Sequence, residues 1–160
     1  KGINNAAVPM GAVAVRQSLH DTIIDAGAPG AIELFHGYTY SAHPLAAAAA
    51  VAAIDLYRTE GLFERARALS PAFEAAAHSV KDAPHVKDIR NLGLVAGIEL
   101  ESRPGAIGAR AYEVFLKCLE RGVLVRYTGD ILAFSPPLII DEAQIARIFD
   151  TVRTVLQEVA

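Results

Sequence analysis

Apolar residues near the end of the chain recur at helical spacing, with Ile145, Ile148, Phe149, Val152, Val155 and Leu156 forming one stripe. Asp141 precedes that stripe and Gln144 follows three residues later, the pairing of a capping box at a helix start. A second helical stripe, Ile107, Ala111, Val114, Phe115, Cys118 and Leu119, predicts a helix over residues 105–121 that ends near Gly122. A third, Leu62, Ala66, Leu69 and Phe73, predicts a helix over 62–80 with a kink at Ser70-Pro71. Between these helices the period changes. Residues 86–90 alternate apolar and polar, and 94–100 read as a more apolar strand joined to them through Asn91-Leu92-Gly93. Residues 123–127 and 131–134 read as two further strands linked through Thr128-Gly129-Asp130, a hairpin signal, and Pro136-Pro137 stops the sheet.

The first part of the chain has a different texture. Residues 1–10 are turn-like, because Gly2, Asn4-Asn5 and Pro9 oppose regular structure. Residues 11–15, Gly-Ala-Val-Ala-Val, read as a short buried strand, and 16–24 as a short amphipathic helix with Leu19 and Ile23 on one face. Residues 25–30 hold two Gly and a Pro and read as loop. A polar turn, His36-Gly37-Tyr38-Thr39-Tyr40-Ser41-Ala42-His43-Pro44, runs into an Ala-rich stretch over 45–56 that reads as a buried helix. Ser41 is the expected N-cap, and Pro44 falls in the first turn, where its missing N–H costs nothing. Gly61 marks the main boundary, giving residues 1–60 and 61–160 as the two parts.

With 52% hydrophobic residues and a mean hydropathy of +0.29, the chain is rich for so small a domain, which implies a surface covered by further chain or by a partner subunit. A net charge of -3 and a pI near 5.9 supply no basic field, so nucleic acid is not an expected partner. No stretch reaches the ~20 apolar residues of a membrane span. The single cysteine, Cys118, excludes an internal disulfide, reads as a small core residue and fits a reducing compartment, so a cytoplasmic location is expected. The chain does not begin with Met, and its start at Lys1 reads as a cut through a longer sequence.

Three positions carry candidate chemistry. Lys1, in a Gly- and Asn-rich turn before an apolar run, has the amine needed to attack a carbonyl. The hydroxyls of the turn before the Ala-rich helix lie where a helix N-terminus presents free N–H groups and a positive dipole end, which suits a phosphate. Arg126, in Val123-Leu124-Val125-Arg126-Tyr127, offers a guanidinium that can clamp a carboxylate bidentately. His36 and His43 flank the turn and serve to order it. His20, His78 and His85 read as surface residues, and no metal site is expected.

Two motifs carry a resemblance. Lys1-Gly2-Ile3-Asn4-Asn5-Ala6-Ala7-Val8-Pro9-Met10-Gly11-Ala12-Val13, followed by Gly37-Tyr38-Thr39-Tyr40-Ser41-Ala42-His43-Pro44, resembles the Schiff-base lysine segment and phosphate turn of class III pyridoxal-phosphate aminotransferases. The likeness is greatest to β-alanine (ω-amino acid)–pyruvate transaminases. It covers the whole chain, as the C-terminal portion of such an enzyme. The implied fold is α/β plus α+β, the C-terminal part of the fold-type-I transferase, with 1–60 ending the cofactor-binding large domain and 61–160 forming the small domain.

The resemblance implies that Lys1 holds pyridoxal 5'-phosphate and shuttles a proton. It implies that Thr39 binds the cofactor phosphate of the opposite subunit in a homodimer or higher oligomer, and that Arg126 binds the substrate carboxylate. Many class III members place that arginine where this chain has Ala133, whereas the ω-amino acid subgroup resembles this chain in placing it at Arg126. The implied activity is transfer of an amino group from an ω-amino acid or amine to pyruvate. Another pyridoxal-phosphate enzyme on the same scaffold, such as an aminomutase, and a non-enzymatic α+β dimerisation or binding domain are the alternatives. Family groups that hold the cofactor ring lie upstream, so the 160 residues alone are expected to be inactive.

Overall fold

The computed structural model of the chain describes residues 1–30 and 36–159. It divides into two compact units, Lys1–Glu60 and Gly61–Ala160.

The first unit contains α1 (Gln17–Asp25) and α2 (Pro44–Thr59). Residues 11–15 are exposed coil rather than the expected buried strand. A strand exists only through ladder bonds to a neighbour, and nothing among the described residues of this unit offers one. α1 forms as expected but buries no residue, with Leu19 56% and Ile23 46% exposed. α2 runs one turn longer than its apolar stretch, with Pro44 in its first turn. The Ala-rich helix was expected to be buried, yet only Ala46 and Ala50 are; Leu45, Val51, Ile54 and Leu56 are all exposed. Apolar composition sets the demand for cover, and the described part of this unit covers one narrow stripe.

The second unit opens with α3 (Leu62–His78), which is continuous through Pro71, with the Ser70 hydroxyl donating back to the Ala66 carbonyl at 2.8 Å. β1 (Val86–Leu92) and β2 (Val95–Leu100) form an antiparallel hairpin turned at Gly93, whose φ of +56° suits glycine. α4 (Ala109–Glu120) follows, shorter than the stripe suggested: Ile107 lies outside the helix and is exposed, and Leu119 is half in solvent. β3 (Arg126–Thr128) and β4 (Ile131–Phe134) pair through a two-residue turn at Gly129-Asp130. The expected strand over 123–127 therefore begins only at Arg126. α5 (Glu142–Glu158) starts at the Asp141–Gln144 capping box, with both of its hydrogen bonds formed at 2.8 and 3.1 Å.

The sheet order is β1-β2-β4-β3, antiparallel throughout. Alternation along the strands sends Ala96, Ile98, Leu100, Leu132 and Phe134 into the core with α3, α4 and α5. The register places Gly97, Ala133 and Arg126 side by side on the opposite face. His78, expected on the surface, instead shares a 2.8 Å hydrogen bond from Nε2 to Asn91 Oδ1, tying the end of α3 to β1.

Cys118 is a core residue as expected, and burial pushes its thiol from an ordinary 9.0 up to about 11. Its folded-state pKa lies above the unfolded one, so its contribution to stability is complete below pH 9 and is lost as pH rises through 11. We expect no reaction with an aromatic disulfide reagent at pH 8 in the native chain and stoichiometric reaction in denaturant. Rapid native labelling would contradict this burial.

Candidate active-site segments

Lys1 stands at the head of a turn that is fastened from behind. The Lys1 carbonyl accepts from the Ala6 N–H at 3.3 Å, and the Gly2 carbonyl accepts from the Tyr57 hydroxyl of α2 at 2.5 Å. Asn4, only 4% exposed, donates its Nδ2 to the Val8 carbonyl at 2.7 Å. Asn5 and Ala6 take left-handed backbone, which Asn tolerates and Ala adopts only under constraint. The backbone around Lys1 is thus held, while its side chain is exposed and has no hydrogen-bond or ion-pair partner among the described residues. A free primary amine on a fixed backbone is what condensation with an aldehyde needs.

The polar turn closes on itself. Ser41 Oγ accepts from the Tyr38 N–H at 2.9 Å, and the Ser41 N–H donates to the Tyr38 carbonyl, also at 2.9 Å. Ser41 is therefore not the N-cap of α2. That place belongs to His43, whose Nδ1 accepts from the Ala46 N–H at 3.4 Å, because Pro44 starts the helix immediately after it. Thr39 lies at the exposed crest, its hydroxyl without a partner among the described residues, and α2 has no acidic residue in its first turn. A donor hydroxyl beside a positive helix end with no competing carboxylate suits a phosphate. These two segments thus fit an aldehyde-bearing phosphate ester such as pyridoxal phosphate. A cleft of about 460 Å³, lined by Val8, Met10, Tyr38, Tyr40, Ser41 and His43, brings the segment after Lys1 against this turn; neither Lys1 nor Thr39 lines it.

In the second unit Arg126 lines a cleft of about 790 Å³. The β3–β4 ladder ends at the pair Arg126↔Ala133, and beyond it the two segments part around the cleft. Val123 and Val125 point into the core, while Leu124 and Arg126 are exposed. The Arg126 guanidinium has no partner among the described residues. Arg126 and Ala133 are direct cross-strand neighbours, so their side chains leave the same patch of the same face.

Sequence reasoning missed Asn4 and Tyr57. Asn4 passes for an ordinary turn residue, and Tyr57 lies 55 residues from its acceptor. The one hint was an asparagine pair in a stretch that otherwise lacks bulk. Among the described residues no group of His, Cys, Asp and Glu could hold a metal ion, and no helix is long and apolar enough to cross a membrane.

Residues 1–156 of the chain match a family model, aminotransferase class-III. The chain belongs to the class III aminotransferases. It is 57% identical over 159 residues to an omega-aminotransferase of Caulobacter vibrioides, covering 99% of this chain and 36% of that protein. It is 39% identical over 161 residues to a beta-alanine–pyruvate aminotransferase of Pseudomonas aeruginosa, covering 100% of this chain and 36% of that protein. A solved transaminase from directed evolution by ancestral reconstruction superposes with a TM-score of 0.87 at 30% identity, over 99% of this chain and 36% of that one. The chain thus spans about a third of the length of the relatives it matches. Its fold is the C-terminal part of the fold-type-I transferase fold.

Proposed function

We propose that this chain is the C-terminal part of a pyridoxal-phosphate aminotransferase that moves an amino group from an ω-amino acid such as β-alanine, or from an amine, to pyruvate. Residues 1–60 end its cofactor-binding domain and 61–160 form its small domain. The observation that carries the reading is the unpartnered Lys1 amine on a backbone fixed by Asn4 and Tyr57. Likeness to omega- and beta-alanine–pyruvate aminotransferases along the whole chain supports the choice of donor and acceptor.

Class III aminotransferases depend on pyridoxal 5'-phosphate, which supplies an electron sink for bonds at the amine-bearing carbon. Lys1 Nζ would hold the cofactor, and the same amine would carry a proton from and back to the substrate. Thr39 and the first turn of α2 bind the phosphate belonging to the opposite subunit, which makes the working enzyme a homodimer or higher oligomer. Exposed Leu45, Val51, Ile54 and Leu56 are the apolar surface such a partner would cover. Arg126 clamps the substrate carboxylate bidentately. The pairing Arg126↔Ala133 supports that assignment, because arginine at either position reaches the same face.

The test is borohydride reduction in the presence of pyridoxal phosphate, followed by peptide mapping. It requires a longer polypeptide in which residues precede Lys1, since here Lys1 also carries the α-amine. We expect the reduced cofactor on Lys1 Nζ, and its loss in Lys1→Ala. A folded, cofactor-saturated protein without label at Lys1 would overturn the reading.

A further inference from the structure

The cleft that holds Arg126 contains a second guanidinium, and we propose that Arg147 is its second anion anchor, so that the cleft takes aliphatic dicarboxylates end to end. The inference deepens the reading of Arg126 as a carboxylate clamp and rests on it. Arg147 lies in the second turn of α5 and lines the same cleft. Its Nη2 sits against Gly122: a β-carbon added there would stand 3.3 Å from it, and the glycine's φ of +76° also disfavours any side chain. Gly122 thus gives the Arg147 guanidinium a seat at one end of the segment that carries Arg126 at the other.

The charges of the two residues are uncompensated. Neither Arg126 nor Arg147 has a hydrogen-bond or ion-pair partner among the described residues, whereas the nearby arginines are engaged. Arg65 donates to the carbonyls of Ile139 and Ile140 at 3.2 and 2.7 Å, and Arg121 grips both oxygens of Glu158 at 2.7 Å. Among the described residues no Asp or Glu lines the cleft. The rest of the lining is mostly apolar, from Phe115, Val123, Phe134, Pro137 and Ile148. Two cations in an apolar cleft complement a ligand with an anion at each end and methylenes between. Gly122 and Arg126 are four residues apart, so their Cα atoms lie at most roughly 14 Å from one another along one short segment of the cleft wall.

Adipate and hexanoate have the same carbon skeleton and differ by one carboxylate, so they separate the two anchors. The 160-residue chain, labelled with ¹⁵N, is titrated with each while the arginine Nε–H resonances are followed. We expect hexanoate to move the Arg126 resonance alone, and adipate to move those of both Arg126 and Arg147 and bind about tenfold tighter, the scale of one charged hydrogen-bonding anchor. Arg147→Gln should reduce adipate to the affinity of hexanoate and leave hexanoate unchanged, whereas Arg147→Lys should keep part of the preference. Equal affinity for the two acids, an unmoved Arg147 resonance, or no binding of either would overturn the proposal. Hexanoate binding that survives Arg126→Gln would instead overturn the Arg126 clamp, and the Arg147 resonance reports separately on its own anchor.

Discussion

Phe149→Ala is expected to destabilise the second unit by about 3–5 kcal/mol, the usual cost of emptying a buried aromatic site. Phe149 is 1% exposed on the core face of α5. Its ring meets Phe73 of α3 edge-on, with centroids 5.4 Å apart, and lies 5.1 Å from Phe134 of β4. Three elements of different chain regions therefore close around this one ring. None can move in to fill the void without losing its other contacts, so the cavity term is added to the transfer term. Against a total of about 5–15 kcal/mol for a domain, that loss leaves little margin. Urea unfolding monitored by circular dichroism checks it. A midpoint shift worth less than about 1 kcal/mol would mean that the three elements collapse onto the gap.

Gly108→Ala is the second large effect, expected at about 2–4 kcal/mol from left-handed backbone, a backbone clash and a weakened charged hydrogen bond together. Gly108 caps α4 with φ +81°, and an added β-carbon would stand 3.3 Å from the Gly129 carbonyl oxygen in the β3–β4 turn. That neighbour is backbone and cannot swing aside. The same turn holds Asp130, which accepts from the Gly108 N–H at 2.9 Å and from the Ser102 hydroxyl at 2.6 Å. Pushing the turn away breaks this clasp. Gly105→Ala is the control, since Gly105 has φ +72° with nothing within 4 Å, and only the left-handed penalty of about 1–2 kcal/mol applies. Equal losses for the two variants, measured by thermal unfolding, would show that contact with Gly129 contributes nothing.

The second unit was largely legible because its signals are local. The α5 stripe and its Asp141–Gln144 box define one helix without reference to anything else, and every one of Ile145, Phe149, Val152, Val155 and Leu156 is buried. The two hairpins follow from glycine-bearing turns between apolar runs. The first unit was less legible because its apolar segments depend on neighbours. Residues 11–15 have a strand's composition but no strand to pair with among the described residues, and α2 has a buried helix's composition but a mostly exposed surface. The sequence points to Ser41 as the cap of α2 where the structure has His43, because side-chain preference alone does not include the turn that consumes the serine hydroxyl. Lys1, Thr39 and Arg126 are proposed through motif likeness. Arg147 has no motif, and its seat is visible only once Gly122 and α5 are placed together.

The pair Arg126↔Ala133 has a wider implication for specificity on this sheet. Facing residues on antiparallel strands are interchangeable origins for a long side chain, since both project from one spot about 5 Å across. A carboxylate anchor can therefore migrate between strands while its charged tip keeps serving the same volume. On the proposed reading of Arg126, recognition is addressed to a location on the pleated surface, and two enzymes that look discordant at each column of an aligned sequence can present the same electrostatic handle to their substrates.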